Sequence, residues 1–338
     1  MVTFSPSGPG DDEVLFARHG VLGRIRLHRP KAINALTLGM VTAMRTRLAE
    51  WAADDSVSAV VVDGAGDRGL CAGGDVRAIR DAVIEGTSAP EEFWRAEYAL
   101  NRDIAEYPKP FVAVMDGVTM GGGVGVSAHG SVRLATERSK VAMPETAIGF
   151  FPDVGGLHLL SRAPGEAGTH MALTGLPVSG ADAVYCGLAD AVVPTVEVDG
   201  FLDRWADGEP VTVPDHPVPA ADIAAAREWI DECYRGDDPV EILSRLRGRP
   251  EPAARRAADV LASRSPLSVT VTLRAIRRAA TMTLPEVLAQ DLRLGAAFAT
   301  EPDFVEGVRA VLVDRDSPVW RHGDLTEVDR SEVDAMFG

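Results

Sequence analysis

The chain has 338 residues, of which 46% are hydrophobic, and its formal net charge is −16. This length is sufficient for one large hydrophobic core or two modest ones. The acidic balance argues against nucleic acid as a partner, because nucleic-acid binding requires a basic face. No apolar run reaches the roughly 18 residues of a membrane span, so we expect no membrane-spanning segment.

The N-terminal residues and the cysteines indicate the compartment. Residues 1–13 show neither the basic and apolar regions of a signal peptide nor the Arg-rich pattern of a transit peptide. The cysteines, at positions 71, 186 and 233, form no CxxC pair and no disulfide framework. We therefore expect a cytoplasmic protein with reduced thiols.

Short strands alternate with helices in the first half of the chain. Apolar runs predict strands over residues 21–27 and 59–62. Thr37 is predicted to cap an amphipathic helix that runs to about Trp51, and Ser179 is predicted to cap another. This alternation is typical of an α/β protein.

The second half of the chain has a different pattern. Residues 208–219 are rich in proline and acids, which is typical of a linker or a surface excursion. From about residue 220 onward the pattern is helical. Ser265 precedes a proline that opens one helix, and Thr283 forms a capping box with Glu286 at the start of another.

Two strand-like segments lead into glycine clusters. Residues 69–76 read Gly-Leu-Cys-Ala-Gly-Gly-Asp-Val, and residues 118–125 read Val-Thr-Met-Gly-Gly-Gly-Val-Gly. Glycine allows the backbone to approach a ligand closely. Two such clusters could each direct one N–H group at the same oxygen, as an oxyanion hole requires. Tight packing at strand–helix turns is the alternative explanation of the glycines.

Residues 143–156 form an apolar loop, Met-Pro-Glu-Thr-Ala-Ile-Gly-Phe-Phe-Pro-Asp-Val-Gly-Gly, that contains two acids, Glu145 and Asp153. Its prolines and central glycine argue against one continuous helix. A carboxylate in apolar surroundings is costly, and burial raises its pKa toward the range useful for proton transfer. The alternative is structural, with Asp153 as a helix N-cap and Glu145 as a surface acid.

These segments resemble the crotonase (enoyl-CoA hydratase/isomerase) superfamily, most closely its 3-hydroxyisobutyryl-CoA hydrolase branch. The resemblance covers nearly the whole chain and includes residues 93–101, 135–138 and 303–312. It implies an α/β fold of the crotonase (ClpP/crotonase-like) type, a spiral of repeated ββα units. On this basis we expect the spiral and the active site in residues 1–200 and a mainly helical region in residues 201–338.

The resemblance also implies a role for each site residue. Members of the superfamily hold a thioester oxygen between two backbone N–H groups, which correspond here to Gly74 and Gly122. Glu145 would attack the thioester carbonyl to form an anhydride, or activate a water that does so. Asp153 would orient the substrate hydroxyl or shuttle a proton. Glu97 would lie on a helix that lines the acyl pocket, the alternative being a solvated helix acid.

Two positions favour the hydrolase branch over the hydratases. Hydratases carry a glutamate where this chain has Gly125, and usually a small residue where it has Asp153. The resemblance therefore implies hydrolysis of 3-hydroxyisobutyryl-CoA, or of another short 3-hydroxyacyl-CoA, in valine breakdown. The alternatives are an enoyl-CoA hydratase or isomerase, and a non-catalytic acyl-CoA-binding protein, which would need neither acid.

The expected ligand is an acyl-CoA substrate, with no separate cofactor, no metal and a possible homo-oligomer (trimer or hexamer). The histidines show no metal-ligand spacing. Arg29, Lys31 and Arg68 are candidates for binding the CoA phosphates. Residues 64–69 satisfy the dinucleotide motif GxGxxG, but further glycines at 73 and 74 argue against the helix that this motif requires.

Overall fold

The strands lie in the first 192 residues. A computed structural model describes residues 2–8 and 11–338. The strands are β1 (Ser5–Gly8), β2 (Asp11–His19), β3 (Leu22–Leu27), β4 (Ala59–Gly64), β5 (Gly69–Cys71), β6 (Phe111–Met115), β7 (Val118–Met120), β8 (Val132–Ala135), β9 (Lys140–Ala142) and β10 (Ala191–Val192). The predicted strands at 21–27 and 59–62 are confirmed as β3 and β4.

Helices alternate with the strands and predominate in the C-terminal region. The α-helices are α1 (Leu38–Ala52), α2 (Val76–Ile84), α3 (Ala89–Ala105), α4 (Gly122–Gly125), α5 (Gly156–Leu160), α6 (Ala167–Thr174), α7 (Gly180–Tyr185), α8 (Thr195–Ala206), α9 (Asp222–Tyr234), α10 (Pro239–Arg247), α11 (Pro252–Ala262), α12 (Pro266–Ala279), α13 (Leu284–Phe298), α14 (Pro302–Val308) and α15 (Arg330–Phe337). Single-turn 3-10 helices occupy Pro30–Ala32, Glu145–Ile148 and Leu325–Glu327, and a π-helical turn occupies Arg309–Asp314. The predicted helical C-terminal region is confirmed.

Side-chain caps begin the predicted helices. The Thr37 hydroxyl accepts a hydrogen bond from the N–H of Met40 at 3.2 Å, which satisfies one of the free N–H groups at the start of α1. Thr283 and Glu286 form the predicted capping box of α13. Ser179 caps α7 in the same reciprocal way.

The first of two compact units comprises Met1–Asp75, Ala96–Val141 and Val178–Ala221. Its larger sheet has the order β1-β2-β3-β4-β6-β8-β10, antiparallel as far as β3 and parallel beyond it. A smaller sheet has the order β5-β7-β9. β4 and β6 are nearly continuous apolar runs and are almost fully buried, as expected of parallel strands covered on both faces.

The second compact unit comprises Val76–Arg95, Ala142–Pro177 and Asp222–Gly338 and is mainly helical. Helix α6 is buried along its whole length and contacts α9, α11 and α12. None of the helices in the described part of the chain combines the length and the apolarity that a membrane crossing requires.

A neutral histidine lies in the core of the second unit. His170 on α6 is buried, and its Nδ1 lies 2.9 Å from the Tyr234 hydroxyl. Burial lowers the pKa of His170 from 6.5 to about 4. Between these values the unfolded chain binds a proton that the folded chain does not. The stability due to neutral His170 is therefore present above pH 6.5 and is lost as the pH falls toward 4.

Replacing His170 by glutamine should remove this pH dependence. We expect the excess unfolding free energy of the wild type over the variant to fall by about 2 kcal/mol between about pH 7 and about pH 5. Urea unfolding of both proteins at the two pH values measures the difference. An excess that does not change with pH would mean that His170 has the same pKa in the folded and the unfolded protein.

Candidate active site

The first glycine cluster leaves the Gly74 N–H group without a backbone partner in the part of the chain that the structure describes. Leu36 donates its N–H to the Gly73 carbonyl at 2.9 Å and accepts from the N–H of Asp75, also at 2.9 Å. In this parallel pairing the N–H of the intervening Gly74 points away from Leu36. Within residues 2–8 and 11–338 no backbone carbonyl accepts a hydrogen bond from it. Gly74 thus offers one donor to a ligand.

The second glycine cluster places a further N–H group close to the first. Gly122 is the first residue of α4, where backbone N–H groups have no partner within the helix. A Cβ on Gly122 would lie 3.2 Å from the Gly74 nitrogen and would collide with a carboxylate oxygen of Glu97. The structure therefore brings together the two predicted oxyanion donors and Glu97.

Glu97 is a buried acid rather than a solvated one. It lies on α3 and is 2% exposed. The Cys71 thiol has its pKa raised to about 12, mainly by burial, while the N–H of Gly73 opposes the rise and the Glu97 charge adds to it. Cys71 is therefore a neutral thiol and not a nucleophile.

Glu145 begins a short turn in the second unit. It is 7% exposed and opens the 3-10 turn Glu145–Ile148, which Gly149 ends at a φ of +70°. The Glu145 carbonyl accepts a hydrogen bond from the N–H of Phe150 at 3.0 Å. The prediction that no continuous helix covers the loop is confirmed, and the alternative that Glu145 is a surface acid is wrong.

Tight packing fixes this turn. The backbone of Asp303 leaves no room for a Cβ on Gly149, and the backbone of Ile148 leaves none on Gly307. The ring of Phe150 lies within 5.5 Å, centroid to centroid, of four aromatic rings, those of Trp94, Phe151, Phe298 and Phe304. Well-packed aromatic rings hold such a turn in one conformation.

Asp153 precedes a strained turn. It is 6% exposed, and its carbonyl accepts a hydrogen bond from the N–H of Gly156 at 2.7 Å. Val154 has a φ of +52°, which costs a β-branched residue about 1–3 kcal/mol. Helix α5 is capped by Gly155, with a φ of +71°, so the alternative of Asp153 as the N-cap is wrong. Strain of this kind concentrates at functional sites.

Sequence reasoning missed Asp291, which lies beside this turn. The Gly155 N–H donates to Asp291 Oδ2 at 2.9 Å. Asp291 is on the buried face of α13, together with Val287 and Leu294. An acid on an otherwise apolar helix face is a signal that the sequence contains. The aromatic cluster was also missed, because its rings come from four separate elements.

The basic candidates for binding the CoA phosphates differ in their surroundings. Arg29 is paired with Glu13 at 3.0 Å and with Asp75 at 2.9 Å, so its charge is already neutralised. Lys31 and Arg68 are exposed, and Arg68 donates to the Lys31 carbonyl at 3.5 Å. In the GxGxxG segment the third glycine starts strand β5 and not a helix, which removes the basis for a dinucleotide site.

Comparisons with known proteins agree on one family. The sequence matches the enoyl-CoA hydratase/isomerase family over residues 22–337. The mitochondrial 3-hydroxyisobutyryl-CoA hydrolase of Danio rerio is 39% identical, with 98% of this chain and 91% of the relative covered. The Homo sapiens protein of the same name is 38% identical, with 96% of this chain and 88% of the relative covered.

Two solved structures are also similar to this chain. A carnitinyl-CoA dehydratase from Mycobacterium thermoresistibile is 49% identical, with a TM-score of 0.91 and coverage of 97% of this chain and 96% of that chain. An enoyl-CoA hydratase from Rhodobacter sphaeroides 2.4.1 is 39% identical, with a TM-score of 0.93 and coverage of 96% and 97%. The similar proteins thus share one fold but carry the names of different reactions.

Proposed function

The chain belongs to the enoyl-CoA hydratase/isomerase family, that is, the crotonase superfamily, and from this premise we propose that it is an acyl-CoA thioester hydrolase. The proposed reaction converts 3-hydroxyisobutyryl-CoA and water to 3-hydroxyisobutyrate and CoA, a step of valine breakdown. The observation that carries this proposal is that Glu145 and Asp153 are both buried, in a protein that has Gly125 where the resemblance implies a glutamate in hydratases.

The oxyanion donors act on the thioester carbonyl. The N–H groups of Gly74 and Gly122 donate to its oxygen and stabilise the negative charge that develops there. Their proximity and the absence of a backbone acceptor for Gly74 among the described residues support this assignment. Glu97 next to Gly122 belongs to the acyl pocket.

Glu145 supplies the attack on the carbonyl carbon. Either its carboxylate forms an acyl anhydride that water then hydrolyses, or it removes a proton from the attacking water. In both routes the C–S bond breaks, the CoA sulfur gains a proton and the acyl carbon gains a hydroxyl oxygen. Asp153 orients the substrate hydroxyl or carries the proton to the leaving sulfur.

Asp153→Asn distinguishes these two roles. If Asp153 binds the substrate hydroxyl, kcat/KM for 3-hydroxyisobutyryl-CoA should fall by roughly 10- to 100-fold, as expected when a charged hydrogen-bond acceptor is replaced by a neutral amide. Isobutyryl-CoA lacks the hydroxyl and should be affected much less. Equal losses on both substrates would assign Asp153 to proton transfer, and no loss on either would exclude it from the site. Asp259→Asn, at an exposed position of the same unit, is the control.

The second candidate is a dehydratase or hydratase. The name of the structure that is 49% identical favours it. This reaction adds or removes a proton at Cα and a hydroxyl at Cβ. It does not break the thioester and therefore releases no thiol. A non-catalytic acyl-CoA-binding protein is the third candidate, and it would bind CoA with no turnover. Thiol release from 3-hydroxyisobutyryl-CoA, followed with a thiol-reactive dye, tests the proposal against both.

The remaining assignments extend this proposal. Coenzyme A enters as part of the substrate, and the reaction needs no other cofactor. Lys31 and Arg68 are our candidates for binding the CoA phosphates. We propose that residues 1–200 contain the catalytic residues. We also propose that the protein forms a homo-oligomer and that it is located in the cytoplasm. All three cysteines lie in the described residues, are buried and form no disulfide, which supports a reducing compartment, although the named relatives are mitochondrial.

A further inference from the structure

Asp291 is a buried acid to which the proposed reaction gives no role. It lies on α13 and is 0% exposed. Its Oδ2 accepts the N–H of Gly155 at 2.9 Å, and in the described part of the chain no hydrogen bond reaches its Oδ1. A carboxyl group in such surroundings needs a structural or chemical reason, because its burial is costly.

The surroundings of Asp291 favour its neutral form. No ion pair within residues 2–8 and 11–338 includes it. Burial raises the pKa of Asp291 well above its usual value; the Gly155 N–H opposes this, and the negative charge of Asp153 adds to it. When two carboxyl groups lie close together, one retains its proton and the other carries the charge.

Gly155, which donates the hydrogen bond to Asp291, belongs to the strained turn. Val154 and Gly155, at φ values of +52° and +71°, directly follow Asp153. A strained conformation persists only where the surrounding structure holds it. Asp291 helps to hold this turn, because its Oδ2 on helix α13 accepts a hydrogen bond from Gly155, the residue after Val154.

We propose that Asp291 is a positioning residue, whose Oδ2 holds the Val154–Gly155 turn through the Gly155 N–H and thereby orients the Asp153 side chain for the substrate. This inference rests on the proposed hydrolase function. It gives the helical C-terminal region a part in a reaction whose other assigned residues lie at or before position 153.

Two replacements of similar size separate this role from others. Asp291→Asn keeps an oxygen that accepts the Gly155 N–H and is neutral, so its kcat/KM should equal that of the wild type. Asp291→Leu removes the acceptor, and kcat/KM for 3-hydroxyisobutyryl-CoA should fall by about 10- to 100-fold. If Asp153 binds the substrate hydroxyl, the preference for this substrate over isobutyryl-CoA should fall with it, which a general loss of stability would not cause.

Leu294→Ala is the matched control, because Leu294 is fully buried one turn further along α13. It should lower the thermal midpoint and leave the substrate preference unchanged. Wild-type kcat/KM in Asp291→Leu would overturn the inference, as would Asp291→Asn proving as damaging as Asp291→Leu.

Hydrogen exchange makes the test independent of turnover. The amides of residues 153–156 should exchange faster in Asp291→Leu than in the wild type and at the wild-type rate in Asp291→Asn. Equal exchange in all three proteins would show that Asp291 does not hold the turn. If the amides of residues 153–156 exchange more slowly in the wild type than in Asp291→Leu but the wild type releases no thiol, the proposed function would be contradicted and the hold on the turn would stand.

Discussion

Glu145→Gln is expected to lower kcat for thioester hydrolysis by about 10³-fold or more, whether Glu145 acts as nucleophile or as base. Glutamine has almost the same size and can occupy the same 3-10 turn, but its amide neither attacks a thioester nor accepts a proton at neutral pH. KM should change little, because the N–H donors and the acyl pocket remain. Initial rates of thiol release over a range of substrate concentrations separate the two effects.

Glu228→Gln is the matched control for this variant. It makes the same charge change at an exposed position of the second unit and should leave kcat at the wild-type value. If Glu145→Gln retained wild-type kcat, the assigned role of Glu145 would be wrong. The acyl-CoA-binding alternative also predicts that Glu145→Gln leaves thiol release unchanged. In that case the protein catalyses no hydrolysis, and any slow release of thiol is uncatalysed.

Gly122→Ala should lower kcat by about 10²- to 10³-fold, the usual effect of losing one oxyanion donor. A side-chain substitution cannot remove a backbone N–H group, but the added methyl would collide with Glu97 and lie 3.2 Å from the Gly74 nitrogen. The Glu97 carboxylate must move away, and the Gly74 nitrogen must also give way at its 3.2 Å contact, which shifts one oxyanion donor. Steady-state kinetics, with circular dichroism to confirm folding, measures the effect.

Gly39→Ala controls for the added methyl group. Gly39 is exposed near the start of α1, and the nearest atom to its added Cβ is the Thr37 hydroxyl oxygen at 3.8 Å. This variant should have wild-type kcat. A folded Gly122→Ala protein with undiminished kcat would contradict an oxyanion hole at Gly122.

Local signals predicted the elements of this fold well. Thr37, Ser179 and Thr283 begin helices because each side chain satisfies N–H groups that the helix leaves free. Pro144 and Pro152 lack the N–H group that a continuous helix needs, and no such helix covers residues 143–156. These effects act over a few residues and can therefore be predicted from the sequence.

Contacts between distant segments could not be predicted in the same way. Asp291 and Gly155 are 136 residues apart, and no local sequence pattern predicts the hydrogen bond between them. The positive φ of Val154 is equally unexpected, because a β-branched residue avoids this conformation unless tertiary contacts impose it. The position of Glu97 beside Gly122 also depends on how helix α3 packs.

The measurement that tests the hydrolase assignment most directly compares two reactions of one enzyme preparation. Thiol release from 3-hydroxyisobutyryl-CoA is followed with a thiol-reactive dye, and hydration of crotonyl-CoA by the loss of its ultraviolet absorbance. We predict fast thiol release, abolished by Glu145→Gln, with negligible hydration. Hydration without thiol release would contradict the hydrolase assignment and would mean that another acid, such as Glu97 or Asp153, replaces the glutamate that is absent at Gly125.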